Sequence, residues 1–309
     1  MKYRTLGKTG FNVSVVGIGT WQFGGEWGRD FTQGEVDDII QAGRDTGINL
    51  IDTAECYGDH LSEALVGEAI RNDRDEWVLA TKFGHKFHEP FERDTVYDPA
   101  GVRQQLEDSL RALKTDYVDL YQFHSGSDDD FDTDGLWETL NRFKEEGKVR
   151  HLGISIGKND NLYQTDRASS VDAAAIQVVY NRLNRAPEEQ VFDSCIRQNL
   201  GVLARVPLAS GYLSGKYKPG DTFSESDVRG RWHSDEKTRT QLEEAQRIQQ
   251  EEVPEGVPMA QWALAWCLKH PAVTCVIPGC KNREQVESNA AAAELDLVRE
   301  DHPQAVAAP

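Results

Sequence analysis

The sequence predicts a mixed α/β fold: a closed (β/α)8 TIM barrel with an N-terminal β-hairpin plug and extra helices. Three observations carry this. Eight short apolar, strand-like segments are separated by helix-like ones, and strict alternation calls for a parallel sheet because parallel neighbours need crossover connections. Eight such units over 309 residues match a closed barrel better than an open doubly wound sheet. The first core strand runs into Gly17-Ile-Gly19-Thr20-Trp21, which lacks the third glycine of a Gly-x-Gly-x-x-Gly dinucleotide turn. With no linker or low-complexity stretch, residues 1–309 read as one domain, with a hairpin over 1–14 and a frayed tail over 296–309.

The elements follow in order. Two extended pieces around Gly7-Lys-Thr-Gly10 predict the hairpin. Val15–Gly19 is the first barrel strand. Thr32 with Glu35 forms a capping box for a helix that stops at Gly47. A strand over 48–52, a helix over 61–71 and a strand over 77–82 come next. Asp98-Pro99 opens a helix to Leu113. The strand 117–124, the helix 134–146 and the strand 149–155 follow, then a helix over 159–169 and a strand over 174–178. Pro187 starts a helix to about Asn199, and 201–206 is a strand. The Gly-rich stretch 209–233 reads as an ordered functional loop. Helices over 235–252 and 258–270, a strand over 272–277 and a helix over 282–292 complete the series.

Asp and Glu number 52 against 34 Lys and Arg, a net charge of −18. Such a chain is a poor nucleic-acid ligand, since phosphate contacts need clustered cations. Its 13 Lys against 21 Arg, with so many carboxylates, would suit a salt-rich cytoplasm. The five cysteines are scattered without a C-x-x-C, which predicts reduced thiols and no zinc site. No leader-like apolar region and no membrane-length run is present. A cytoplasmic protein is expected, with no membrane or nucleic-acid partner.

Strand ends carry the chemistry of such barrels. Asp52, Lys82 and His124 close three successive strands, and Tyr57 lies just past the first of them. A free phenol has a pKa near 10, and a neighbouring ammonium stabilises tyrosinate and lowers that value. Asp52 would hold Lys82, and His124 would donate to a substrate oxygen. No nucleophile–base pair and no metal-ligand spacing accompanies them. A proton donor without a metal fits carbonyl reduction by a hydride drawn from a cofactor.

These motifs resemble the aldo-keto reductase superfamily, similar to its bacterial and archaeal general-stress and inositol-utilisation reductases. The resemblance spans Gly17–Trp21, Leu50–Gly58, Ala80-Thr-Lys82, Asp116–His124, Gly147–Ser155, Gln177 with Tyr180-Asn181, Pro207–Tyr217 and Ile277-Pro-Gly279. It implies a catalytic tetrad of Asp52, Tyr57, Lys82 and His124, with Tyr57 as general acid. It implies NADPH as cofactor, with NADH as the alternative. Cofactor positions carried over are Gly19, Thr20, Trp21, Asp52, Ser155 and Gln177 (carboxamide), Tyr180 (stacking under the nicotinamide), Pro207, Leu208, Ala209, Gly211 and Lys216 (pyrophosphate), and Gly279, Lys281, Gln285 and Asn289 (adenosine end). Trp21 and Trp27 would line the pocket for a small carbonyl or alcohol substrate. Departures from the pattern are Ile156, Ser288, Gln285 and Ser125; Lys281 and Arg283 remain as cations for a 2′-phosphate. Two other readings stay open: an NAD-dependent sugar or alcohol dehydrogenase, and a cofactor-sensing subunit without turnover. Substrate identity rests on loops 23–31, 84–98, 125–133 and 218–234, and oligomeric state is not encoded legibly.

Overall fold

The computed structural model describes residues 1–225 and 227–308. Ser226, in the 218–234 loop, and Pro309, in the tail, lie outside them. β1 (Tyr3–Thr5) and β2 (Asn12–Ser14) form the antiparallel hairpin. β3 (Ile18–Gly19) is followed by α1 (Gln33–Thr46), β4 (Leu50–Asp52), α2 (Leu61–Ala69) and β5 (Val78–Phe83). β6 (His85–Glu89) and β7 (Glu92–Thr95) precede α3 (Pro99–Leu113) and β8 (Val118–His124). Next come α4 (Asp128–Phe131), α5 (Leu136–Glu145), β9 (Val149–Ser155), α6 (Leu162–Arg167), β10 (Ala173–Val179), α7 (Val191–Arg197) and β11 (Gly201–Arg205). α8 (Val228–Trp232), α9 (Asp235–Glu251), α10 (Met259–Leu268), β12 (Cys275–Ile277), α11 (Arg283–Ala291) and β13 (Ala305–Val306) complete the chain.

Local signals explain the helix boundaries. The Thr32 hydroxyl accepts from the Glu35 amide while the Glu35 carboxylate accepts from the Thr32 amide, and Gly47 ends α1 at φ +76°. Asp98 caps α3 by accepting from the Gly101 amide, with Pro99 in the first turn.

Eight strands run parallel in the order β3-β4-β5-β8-β9-β10-β11-β12. Bridges Val16–Val276 and Gly19–Gly279 join the last strand back to the first. Leu50, Ala80, Leu120, Ala175, Leu203 and Cys275 fill the interior, and Leu6 and Val13 of the hairpin pack against them from below. Arg4, also buried, donates to the carbonyls of Val273 (2.6 Å) and Leu268 (2.9 Å) and so locks the plug to the approach of β12. Burial pulls its pKa down to about 10. A larger apolar layer lies between strands and helices. Among the described residues no helix is long and apolar enough to cross a membrane.

Side chains alternate along a strand. Two residues beyond each interior apolar residue therefore stands the next inward position. This gives Asp52, Lys82, Gln122, Gln177 and Arg205, and Ser155 beyond the inward-facing Gly153. The barrel thus changes from an apolar floor to a polar mouth within one layer.

Two expectations differ from the structure. The tail expected to fray is tied down: Val298 is buried, β13 pairs antiparallel with β1, and Gln304 accepts from the Thr274 hydroxyl at 2.7 Å. A two-residue strand has no alternation to read, and its partner lies at the other end of the chain. The loop expected over 84–98 contains the β6–β7 hairpin, turning at Pro90-Phe91.

Candidate active site

Lys82 is the hub of the polar mouth. Its Nζ donates to Asp52 Oδ2 at 2.7 Å, to the Thr53 carbonyl at 2.6 Å and to the Tyr57 hydroxyl at 3.2 Å. The other Asp52 oxygen, Oδ1, accepts from the side-chain amides of Gln122 (3.0 Å) and Gln177 (2.7 Å). Both oxygens of the Asp52 carboxylate are thus hydrogen-bonded, to Lys82, Gln122 and Gln177. Gln122 escaped the sequence reading, although it shares the inward face of β8 with His124, two residues on.

The Tyr57 and His124 rings meet edge to face at 6.2 Å. Burial pushes the Tyr57 phenol up to about 12, with Lys82 pulling the other way. The expected lowering by Lys82 is present but outweighed. Burial also works against the Lys82 ammonium, yet Asp52 and Tyr57 together hold it above its ordinary value. Burial first, and then the cationic surroundings of His85, Lys82, Arg93 and Arg205, hold His124 well below its usual range. At neutral pH the site therefore presents a protonated phenol, an ammonium and a neutral imidazole.

The loop after β3 brings aromatic rings over Tyr57. A Cβ on Gly24 would stand 2.6 Å from the Tyr57 carbonyl carbon, and one on Gly58 (φ +67°) 2.7 Å from the Gly24 oxygen, so only glycine permits this approach. Trp21 stacks on Tyr57 at 6.1 Å and meets Trp27 edge to face at 5.2 Å. Trp232, from α8, lies 5.6 Å from Trp21, and Phe91, at the tip of the β6–β7 hairpin, 5.9 Å from Trp232. Trp232 and Phe91 were not singled out in the sequence, because an isolated aromatic in a polar loop has no periodicity.

Arg93 on β7 points into the same space. Its Nη1 donates to Cys56 Sγ at 2.9 Å, and Nη2 reaches the buried Glu26 at 3.5 Å. Ligand atoms of Glu55, Cys56 and His124 lie within 4.8 Å of one another. The guanidinium against the sulfur opposes a divalent cation there, and burial raises the thiol pKa well above its usual value.

Several of the positions expected to hold a cofactor stand at the mouth or on the turns beyond it. Gly19 is bridged to Gly279, and Thr20 Oγ1 is buried between Ser62 and the Asp52 carbonyl. The Ser155 hydroxyl faces Gln177 Oε1 at 3.5 Å. Beyond β11 the backbone takes positive φ at Val206, Ala209, Ser210 and Gly211, around Pro207 and Leu208. For a β-branched residue such as Val206 this is strained, and strain of this kind clusters at ligand clamps. Within this turn the Ala209 and Gly211 amides donate to the carbonyls of Val206 and Leu208, both at 2.9 Å, which fixes its shape. Lys281 is held below its ordinary value by burial and by the nearby Arg229 and Lys216. Such crowding of cations in a chain of net charge −18 fits a polyanionic ligand such as a dinucleotide.

Two expectations change here. Tyr180 does not face the mouth: its ring packs on Phe192 (4.8 Å) and Trp266 (5.3 Å) in the helical layer, and its hydroxyl donates to Glu188 at 2.7 Å. It lies three positions beyond the inward Gln177, and an odd step puts it on the opposite face. Arg283 is engaged by Asp38 (2.9 Å), Asp45 (2.8 Å) and Glu287 (3.3 Å), which leaves Lys281 as the cation at this end. At the start of α11 Gln285 N donates to the Asn282 side chain, and Lys281 N, just before that cap, donates to Gln285 Oε1, both at 2.9 Å. Asn289 is buried on the same helix. At the mouth, where Tyr180 was expected, stands Arg205, which the sequence reading passed over inside an apolar run.

A closed parallel barrel with Asp52, Tyr57, Lys82 and His124 gathered at its carboxyl end places these side chains where barrel enzymes carry their chemistry. The chain matches the Aldo/keto reductase family over residues 15–308 and belongs to it. It is 32% identical over 308 residues to the uncharacterized oxidoreductase YqkF of Bacillus subtilis, covering 99% of this chain and 95% of that one. It is 31% identical over 317 residues to the NADH-specific methylglyoxal reductase of Escherichia coli, covering 96% and 95%. Among solved structures, the holo form of aldo-keto reductase AKR11C1 from Bacillus halodurans superposes with a TM-score of 0.81 at 30% identity, over 98% of this chain and 94% of that one. Glycerol dehydrogenase AKR11B4 from Gluconobacter oxydans does so with a TM-score of 0.82 at 28% identity, over 94% and 90%. The family is one of oxidoreductases that use nicotinamide cofactors.

Proposed function

We propose that the protein is a cytoplasmic NAD(P)H-dependent carbonyl reductase that converts an aldehyde or ketone to the alcohol. A nicotinamide cofactor, when bound, would supply hydride chemistry for the carbonyl carbon, with Ser155 and Gln177 to hold its carboxamide. Tyr57 supplies the proton to the carbonyl oxygen, and Lys82 stabilises the tyrosinate left behind. His124, neutral, donates a hydrogen bond to the same oxygen and orients the substrate. Asp52 fixes Lys82, and Gln122 and Gln177 fix Asp52. Trp21 and Trp27 keep water from the reacting atoms, and Trp232 extends the apolar wall beyond them. The observation that carries the proposal is the Lys82 ammonium, hydrogen-bonded at once to Asp52 and to Tyr57.

The cofactor in this reading is NADPH, with Lys281 and Lys216 toward its phosphates. NADH is the second reading, favoured by the engagement of Arg283 and by the name of the Escherichia coli relative. The test is cofactor oxidation by the purified protein with small aldehydes and ketones, NADPH against NADH. Tyr57→Phe should abolish turnover and keep cofactor binding. Parental turnover in that variant would sink the mechanism, and tight binding without turnover in the wild type would favour a sensing subunit.

A further inference from the structure

We propose that Cys56 and Arg93 are positioning residues that hold His124 in the tautomer carrying its proton on Nε2, so that the imidazole meets the substrate oxygen as a donor. The inference rests on the carbonyl-reductase reading above and names what sets the direction of the His124 hydrogen bond.

Three loops and the end of β8 bring the groups together. Cys56 lies on the turn after β4, one residue before Tyr57, and is fully buried. Its Sγ stands 3.7 Å from Nδ1 of His124, the last residue of β8. Arg93, on β7, donates from Nη1 to the same Sγ at 2.9 Å. The arginine is placed by the β6–β7 pairing, where it stands opposite Phe87, and by Glu26, buried on the loop after β3, at 3.5 Å from Nη2. Glu26 in turn accepts from the Trp21 indole. The Tyr97 hydroxyl donates to the His124 carbonyl at 2.7 Å and fixes the backbone that carries the imidazole. Among the described residues no other group hydrogen-bonds the ring. Glu55 comes within 4.8 Å, but its Oε1 accepts from the His85 amide and its Oε2 has no partner.

Counting protons along this chain assigns the tautomer. A guanidinium only donates, so Sγ is the acceptor toward Arg93. The single S–H is then left for His124 Nδ1, the one acceptor beside it among the described residues. A neutral imidazole carries one proton, and the bond made at one nitrogen decides where it sits. With Nδ1 accepting from the thiol, the proton is on Nε2. The reverse arrangement would aim two donors at one sulfur and leave the S–H without an acceptor. Two conditions must hold, a protonated thiol and a neutral ring. Burial keeps the thiol protonated against the pull of Arg93, and burial with the surrounding cations, Arg93 among them, keeps the ring neutral.

Nε2, on the side of the ring away from Cys56, has no partner among the described residues and is not among their fully buried unpartnered atoms. It is therefore the nitrogen open to a substrate. A carbonyl oxygen only accepts, and an Nε2 without its proton would present it with a second lone pair. The chain Arg93–Cys56–His124 thus determines whether the site attracts or repels the oxygen that Tyr57 protonates.

Nitrogen-15 NMR of the protein labelled in its histidines reads the tautomer, with His124 assigned by the signal missing from His124→Gln. The wild type should show Nδ1 bare and Nε2 protonated at neutral pH. Cys56→Ala should mix the two tautomers and lower kcat about tenfold, while the dissociation constant of the cofactor stays unchanged. Cys56→Ser retains a donor and an acceptor and should recover the tautomer and most of the lost rate. Arg93→Met should cost part of the same rate and add little to Cys56→Ala, because the arginine acts through the sulfur. Melting curves establish that the variants are folded. A wild-type His124 protonated on Nδ1, or on both nitrogens, overturns the inference without any variant or any turnover. So does a folded Cys56→Ala with the parental tautomer, and a loss of rate in that variant would then mark Cys56 as a packing residue. Additive losses would take Arg93 out of the chain. The expected tautomer in a protein that reduces no carbonyl would instead remove the underlying reading.

Discussion

The Lys82 ammonium and the Asp52 carboxylate stand 2.7 Å apart with side chains 1% and 4% exposed. A buried pair of this kind gives little net stability over an apolar replacement, but removing one partner strands the other and costs about 3–5 kcal/mol. Lys82→Met should therefore lower unfolding stability by that order and slow reduction at least about 10²-fold. The double variant Asp52→Asn/Lys82→Met should regain part of the stability and none of the rate. Denaturant unfolding with single-turnover kinetics checks both. A Lys82→Met protein with parental rates would remove Lys82 from the mechanism.

Stability should fall as pH rises through neutrality, and Glu55 is the main cause. Burial, with Glu63 adding repulsion, pushes its pKa up to about 8 from the ordinary 4.5. In the unfolded chain Glu55 is ionised above 4.5, so the folded state holds a proton that the unfolded state has lost. The resulting loss of stability begins as pH passes 4.5 and is complete above 8. Below 6.5, His85 acts in the opposite sense, since burial and Arg93 pull its pKa to about 4. The window from 6.5 to 8 is thus the clean one, where Glu55 contributes a loss on the order of 2 kcal/mol. His60, raised by Glu63 against its own burial, adds to the same slope. Glu55→Gln keeps the acceptor for the His85 amide and should flatten the melting temperature over this window. An unaltered slope would rule Glu55 out as its source.

What the sequence revealed and what it hid follow from strand geometry. Asp52, Lys82 and His124 were legible because polar residues closing apolar strands have few structural uses. Gln122 and Arg205 obey the same alternation from Leu120 and Leu203, but each sits within its apolar run and does not follow it. Tyr180 was misplaced by matching a motif without counting its parity from Gln177. The aromatic wall contributed by Phe91 and Trp232 depends on where two long loops meet, which no local pattern encodes.

Lys281 should decide between phosphorylated and unphosphorylated cofactor. It is partly buried beside Arg229 and Lys216, while Arg283 is engaged by α1. One charge-assisted contact to a phosphate contributes roughly 1.5–3 kcal/mol. Lys281→Ala should therefore raise the dissociation constant of NADPH about tenfold or more and leave that of NADH within about twofold. Fluorescence titration measures both. Equal losses for the two would place Lys281 on the shared part of the cofactor.

Trp232 should set the size and polarity of the substrate. It is 52% exposed, one of three large apolar side chains so exposed among the described residues, yet it lies 5.6 Å from Trp21, itself 6.1 Å from Tyr57. A half-exposed ring contributes little to folding, so Trp232→Ala should leave stability within about 1 kcal/mol of the parent. The ring supplies a flat apolar wall to any substrate that extends past Trp21, with a further wall from Phe91. Burying such a face contributes about 25 cal/mol per Å². Aromatic aldehydes should therefore lose about tenfold in kcat/KM in Trp232→Ala, chiefly through KM, while two- and three-carbon aldehydes should be nearly unaffected. The opposite pattern, a loss for the small aldehydes alone, would mean that Trp232 acts on the geometry of Tyr57 through Trp21 and leaves the substrate untouched.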